Sequence, residues 1–240
     1  MKKIAKQRLR GVYLYSLIVW LVYMYVTDRM EDYQFALEGY TSVIPSIGDV
    51  LPNSIIAGII LGLAYIFIGL PLMGSIQWFF LSIADQQKAS WREILEVFTK
   101  KNYVRYFVAS LIIMIFIGLW SLLLIVPGII KSFSYSQTFR LMRDNPEMGV
   151  MDAITLSRKR MNGRKTELFF LQLSFIVWLI LPGILLIVGF ALGNMALVAV
   201  GDVLFFIALA LIGPYFQTTN AVFYVEEIRA GNDANQALKF

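Results

Sequence analysis

Six residues in one short stretch carry most of the chemistry this chain can offer: Lys131, Ser132, Tyr135, Ser136, Gln137 and Arg140. Ser132, Ser136 and Arg140 are spaced by four, so on a helix they share one face. Such a stripe has two uses in an apolar setting. It can hydrogen-bond neighbouring helices, each bond worth about 0.6–2 kcal/mol, or it can line a small polar cavity that holds or passes a solute. Helix contact is the more ordinary use. Gln77, Tyr215, Gln217, Thr218 and Asn220 are the natural partners, and Glu226 and Glu227 are placed to meet Arg140 or Arg143. A buried pair of that kind specifies an arrangement more than it stabilises one. Lys131 either snorkels its long stem to the headgroups or pairs with Asp202, and the first is the simpler reading.

What is missing limits the chemistry more sharply. The 240 residues include no His and no Cys. That removes a Ser-His-Asp triad, a thiol nucleophile, a disulfide and an ordinary zinc site. Neither phosphate-binding glycine pattern is present. The acidic stretch 27–53 lacks the ligand spacing of a calcium loop and reads as a short interfacial helix and loop, with a docking site for a peptide as the sharper alternative. Glu167 and Asp144 sit where interface charges belong. An enzyme is therefore not expected, and no cofactor is implied.

These residues must be positioned by helices in lipid. The chain is 58% hydrophobic and 15% charged, whereas a soluble domain carries about 25% charged residues. A bilayer core about 30 Å thick takes roughly 20 apolar residues per helix. Six spans follow, at about 9–27, 54–83, 104–126, 129–143, 167–190 and 203–225, of which the fourth is short and polar. Residues 1–10 with the apolar run behind them resemble a signal peptide, but the run ends YMYVTD with no small-residue cleavage site, so it reads as an uncleaved anchor.

Charge gives the sidedness. Nineteen of the 21 Lys and Arg lie in 1–10, 85–106, 140–165 and the tail after 225. Basic residues mark cytoplasmic loops, and six spans with both termini inside satisfy the bias. The net charge of +5 then reflects topology and anionic headgroups rather than nucleic acid, since no groove-reading motif is present.

Two connections read as amphipathic helices in the inner interface, at about 91–101 and 147–161. In the first, Trp91, Ile94, Leu95 and Phe98 share a face, and Ser90 with Glu93 has the spacing of a capping box. In the second, Val150, Ile154 and Met161 share a face, and Pro146 suits a first helical turn. Each leads to a span reaching Pro-Gly, at 127–128 and 182–183; the first is expected to make a tight outer turn and the second a kink. The strings Y-S-Q-T (135–138) and Y-F-Q-T (215–218) also match, which suggests a tandem duplication. Gly58 and Gly62 form a small-xxx-small motif for close helix approach within the chain.

Four motifs in order, P-G-I-I-K-S-F-S-Y-S-Q-T-F-R-L-M-R-D-N-P-E, A-I-T-L-S-R-K-R-M-N-G-R-K, L-F-F-L-Q-L-S-F-I-V-W and G-P-Y-F-Q-T-T-N-A-V-F-Y-V-E-E, resemble the bacterial membrane family known as domain of unknown function 975. The resemblance covers roughly the C-terminal half. It implies a multi-spanning protein of a bacterial cytoplasmic membrane and supplies no activity. The chain is also distantly similar to the non-catalytic membrane part of some glycerophosphodiester phosphodiesterases. It departs from the family at 191–204, a stretch longer than the usual connection.

The sequence thus predicts an all-α, polytopic membrane bundle of about six spans plus two cytoplasmic interfacial helices, in one domain. Its expected role is non-enzymatic: an accessory or regulatory subunit contacting membrane lipids and other membrane proteins. A transporter or lipid-handling protein built round the span-four stripe is the alternative. An immunity protein against membrane-active peptides is a third.

Overall fold

A computed structural model describes residues 1–31, 60 and 62–230 of the chain. Among these residues the regular structure is helical and no strand occurs. The elements are α1 (Lys2–Leu9), α2 (Tyr13–Glu31), a π-helical turn (Tyr65–Gly69) leading into α3 (Leu70–Ala84), and α4 (Arg92–Glu96). Then come α5 (Lys100–Leu123), α6 (Ile125–Tyr135), α7 (Thr138–Asp144) and α8 (Val150–Arg160). Last are α9 (Lys165–Ala191) and α10 (Met195–Phe223), the latter continued by a second π-helical turn (Tyr224–Arg229).

The chain divides into two compact units. The first is Met1–Gly11, Leu70–Leu173 and Tyr215–Phe240; the second is Val12–Gly69 and Ser174–Pro214. The expected docking stretch 27–53 lies outside the described residues from residue 32 onward, as does Gly58.

Among the described residues four helical segments are long and apolar enough to cross a membrane: Gly62–Ala84, Lys101–Leu123, Lys165–Ala191 and Met195–Arg229. Counting α1 with α2 as one broken span makes five. At a rise of 1.5 Å per residue, the 27 residues of α9 reach about 40 Å, more than the hydrocarbon core requires.

The segment 129–143, expected as one span, is interrupted. It is not one helix but α6 and α7, 11 and 7 residues long, parted at Ser136–Gln137. Neither is long enough to cross alone, and Lys131, Gln137 and Arg140 make the joined run more polar than the other apolar helices. The expected outer turn at Pro127-Gly128 also moves. Helix α5 stops at Leu123, Leu124 is extended (φ −161°, ψ 144°), and Pro127 falls inside the first turn of α6. There its missing N–H costs nothing, because the first helical N–H groups have no partner within the helix. Gly128 has a different task. A Cβ on it would sit 3.0 Å from the Ser121 Cα and against Ser121 Oγ, so the glycine lets α6 lie close on α5. Gly128→Leu is expected to destabilise the protein by about 1–3 kcal/mol through overpacking, read as a lowered unfolding midpoint in detergent; an unchanged midpoint would show that the hairpin can open.

Helix α9 runs on through Pro182, so no turn forms there. The long connection expected at 191–204 is likewise absent. Gly193 at φ 63° ends α9, with the Asn194 N–H donating to the Gly189 carbonyl at 2.9 Å in a Schellman-type cap. The Asn194 side chain then accepts the Leu197 N–H at 3.1 Å and starts α10. The sixth apolar helix therefore begins at Met195, not near 203. In this second unit small residues allow close crossing, as the notional Cβ of Gly201 would lie 2.9 Å from the Leu186 nitrogen.

The two matched tetrapeptides land on different structures. Y-S-Q-T spans the break between α6 and α7, whereas Y-F-Q-T lies within unbroken α10.

The core of the first unit has two clusters. Trp78, Val97, Tyr106, Ala109, Phe139, Met142 and Ala153 form one; Leu81, Leu141, Met161, Leu168, Phe223, Tyr224 and Ile228 form the other. Helix α8 contributes Ala153 and Ile154 to the interior, and Met161 just beyond it is fully buried. Its apolar face is thus covered by protein and not laid on lipid as expected. The first surface helix is short, Arg92–Glu96, with Trp91 and Leu95 exposed as expected but Val97 buried. In contrast, Leu122–Val126 and much of α9 expose large apolar side chains, the surface a bilayer would cover.

Candidate functional site

The charged end of the first unit is tied together by arginines. Each takes a carboxylate, a helix-terminal carbonyl, or both. Carbonyls at a helix C-terminus lack partners within the helix and carry partial negative charge, so cations belong there.

The first knot joins α3, α4 and α7. Arg143, in the last turn of α7, donates to the Trp78 carbonyl at 2.7 Å and to Ser82 Oγ at 2.5 Å, and pairs with Glu93 at 3.1 Å. Glu93 also accepts Ser82 Oγ–H at 2.5 Å and the Ser90 N–H at 3.0 Å. Half of the expected capping box is present in that last bond. Ser90 Oγ takes the Arg92 N–H at 3.3 Å instead of that of Glu93.

The second knot depends on the π-helical turn that closes α10. Residues five apart stand roughly 140° apart around an α-helix, but i→i+5 bonding brings them nearly into line. Tyr224 and Arg229 are five apart, and both reach Asp144. Tyr224 OH donates to Oδ2 at 2.6 Å, while Arg229 Nε and Nη2 grip Oδ2 and Oδ1 at 2.8 and 2.9 Å. The remaining Arg229 nitrogen takes Asp85 at 2.6 Å. One guanidinium thus joins the end of α3, the end of α7 and the end of α10.

The third group ties down the chain ends nearby. Arg8 pairs with Glu226 at 2.7 Å and also donates to the Ala84 carbonyl. Arg164 pairs with Glu227. Arg105 donates to the carbonyls of Met142, Asn145 and Met148 at 3.2, 2.8 and 2.6 Å, fixing the turn between α7 and α8.

The expected partnerships change accordingly. Glu226 and Glu227 meet Arg8 and Arg164, not Arg140 or Arg143. Sequence distance explains the miss, since Arg8 and Glu226 are 218 residues apart and no local pattern links them. The basic residues were legible as markers of a side and not as clamps. Glu93 alone had a local signal, its spacing from Ser90.

The polar stripe is mostly satisfied at home. Ser132 Oγ donates to the Ile129 carbonyl, Ser136 Oγ to that of Phe133 and Thr138 Oγ1 to that of Tyr135, each at 2.8 Å. Tyr135 is buried with its ring 6.0 Å from that of Phe116. Gln137 is 1% exposed. Its amide donates to Ser136 Oγ at 2.9 Å, and its backbone N–H donates to Ser157 Oγ of α8 at 3.3 Å. Arg140 follows, 3% exposed, donating through Nη1 to Gln137 Oε1 at 3.0 Å and to the Ser136 carbonyl at 3.4 Å. Lys131 is half-buried and rests its ammonium 4.3 Å from the Trp120 ring centre, a cation–π contact. Asp202 is exposed on α10 in the second unit.

The named partners also pair elsewhere. Tyr215 OH donates to the Lys2 carbonyl at 3.2 Å, and Asn220 Oδ1 accepts Gln172 at 2.8 Å. Gln77 Nε2 donates to the Met73 carbonyl of its own helix at 3.4 Å, and Gln217 is half-buried on α10. Among the described residues no group of three acidic side chains is gathered to hold a metal ion.

No curated protein and no solved structure matches the chain. The second resemblance, to the phosphodiesterase membrane part, therefore finds no support. Residues 122–232 run from the tip of the α5–α6 hairpin through the Arg229 knot. They match the family model described as Protein of unknown function (DUF975), which covers a little under half of the chain.

Proposed function

We propose that the protein is a non-enzymatic, multi-pass component of a bacterial cytoplasmic membrane, an accessory or regulatory subunit that works through contacts with lipids and other membrane proteins. The arginine-tied end faces the cytoplasm in this reading, as the concentration of basic residues there favours. Both termini are then cytoplasmic, which requires α6 and α7 together to complete the return of the chain after α5.

The observation that carries the reading is how little polar capacity is left over. Five carboxylates are committed to arginines, and Ser132, Ser136 and Thr138 each donate to the backbone carbonyl three residues before. What remains in quantity is exposed apolar helix surface. A transporter built on the same stripe is the second reading, favoured by Arg140, a buried cation paired with no carboxylate among the described residues.

Two measurements separate these readings. Mass spectrometry of the natively purified protein is expected to find phospholipid and a stoichiometric membrane-protein partner. Vesicles containing the protein are expected to take up radiolabelled inorganic phosphate no faster than empty vesicles; faster uptake would favour the transporter.

A further inference from the structure

Arg140 and Arg229 use the same guanidinium edge differently. In Arg229 the parallel pair Nε and Nη2 grips both oxygens of Asp144 at 2.8 and 2.9 Å. In Arg140 only Nη1 is engaged, by Gln137 and the Ser136 carbonyl. Nε is enclosed without a hydrogen-bond partner, and Nη2 donates to nothing among the described residues.

A buried cation with no counter-charge is costly. The acids of this end of the unit do not supply one. Glu93 is held by Arg143, Asp85 and Asp144 by Arg229, Glu226 by Arg8 and Glu227 by Arg164. Gln137, the one side chain hydrogen-bonded to the guanidinium among the described residues, is a neutral acceptor. The surroundings are polar but already committed: Ser157 Oγ donates to the Ser134 carbonyl at 2.8 Å while accepting the Gln137 N–H. The edge left over has the geometry that binds two oxygens of one tetrahedral anion. In a chain whose apolar helices meet lipid, phosphate is the anion at hand.

We infer that the Nε–Nη2 edge of Arg140 is a phosphate-binding site, filled by the headgroup phosphate of a membrane phospholipid or by free phosphate. Gln137 and the Ser136 carbonyl hold Nη1; Nε is enclosed, so an anion reaches it only when the side chains over it move aside. The inference rests on the lipid-contacting reading above for the first source and not for the second.

The test uses the full chain in dodecyl maltoside. The probes are dioleoyl phosphatidic acid, dioleoylglycerol, which has the same tails without the phosphate, and inorganic phosphate. Binding is read by native mass spectrometry and by the unfolding midpoint. Phosphatidic acid is expected to bind and raise the midpoint, and dioleoylglycerol is not. Arg140→Met, which keeps bulk and removes every donor, is expected to weaken phosphatidic acid about tenfold or more. Without lipid, its midpoint is expected to equal or exceed that of the native chain, because a lone buried charge has gone. Arg140→Lys keeps the charge without the fork and is expected to weaken binding by a smaller factor, which decides the matter if the methionine variant does not fold. Protection by inorganic phosphate that Arg140→Met abolishes would identify the free anion as the source. Equal binding of phosphatidic acid by the native chain and either variant overturns the site and leaves lipid contact intact. Failure of the native chain to retain any lipid, with Arg140-dependent phosphate binding preserved, overturns lipid contact and leaves the site. Failure of both probes overturns both.

Discussion

Arg229→Met is expected to cost about 3–5 kcal/mol, the largest loss from any single charge among the described residues. The reason is what it leaves behind. Asp85 and Asp144 are 16% and 25% exposed on their side chains, and both rely on this guanidinium. Tyr224 would still donate to Asp144, but a hydroxyl does not neutralise a carboxylate. The cation also rests 5.3 Å from the Tyr224 ring centre, so packing is lost with the charge. Lysine at 229 is expected to recover only part, because a point charge cannot grip two oxygens of Asp144 and reach Asp85 as well. The check is chemical or thermal unfolding in detergent, with Arg92→Met, an exposed arginine, as the neutral control. A loss under 1 kcal/mol would mean that the π-helical turn is held by other contacts.

Arg143→Met is the second large effect, about 3 kcal/mol. It strands Glu93, whose side chain is 15% exposed, and frees the Trp78 carbonyl and Ser82. The double variant Arg143→Met with Glu93→Gln is expected to regain much of the loss, since removing both charges of a buried pair is often near neutral while removing one is not. The glutamine can keep the bonds from Ser82 and the Ser90 N–H. If the double variant is as unstable as the sum of the singles, the two residues act independently and the knot is not a unit.

The apolar architecture was readable in advance because hydropathy is a property of consecutive residues. Helices α5, α9 and α10 need no distant information to be recognised. The errors arose where a few polar or turn-forming residues decide. Residues 129–143 have the length for a short span, but Ser136 and Gln137 interrupt the helix. Pro127-Gly128 signals a turn in isolation, whereas the structure uses the proline inside a first turn and the glycine for contact with Ser121. At 191–204 the local sequence does carry the signal: Gly193-Asn194 is a helix stop followed directly by a helix start.

The polar end was less legible, for a different reason. Positive residues fall on one side by a rule that ignores their partners, so Arg8, Arg105, Arg143 and Arg229 looked alike in the sequence. Their partners are set by which helix ends meet, with Arg143 and Glu93 50 residues apart and Arg229 and Asp144 85 apart. The π-helical placement of Tyr224 and Arg229 has no hydrophobic period to announce it. Arg140 was singled out by its four-residue spacing from Ser136, although its carboxylate partner was expected and the neutral Gln137 was found.

The central claim is that these helices cross a membrane with the arginine-tied end in the cytoplasm. The absence of native cysteine makes labelling the direct test. Lys159→Cys lies on the exposed side of α8, before α9, and Leu192→Cys lies just after α9 at a position 71% exposed. In bacterial spheroplasts, a membrane-impermeant maleimide is predicted to label Leu192→Cys directly and Lys159→Cys only after permeabilisation. Labelling of both from outside would show that α9 does not cross, and the reverse pattern would place the arginine-tied end outside.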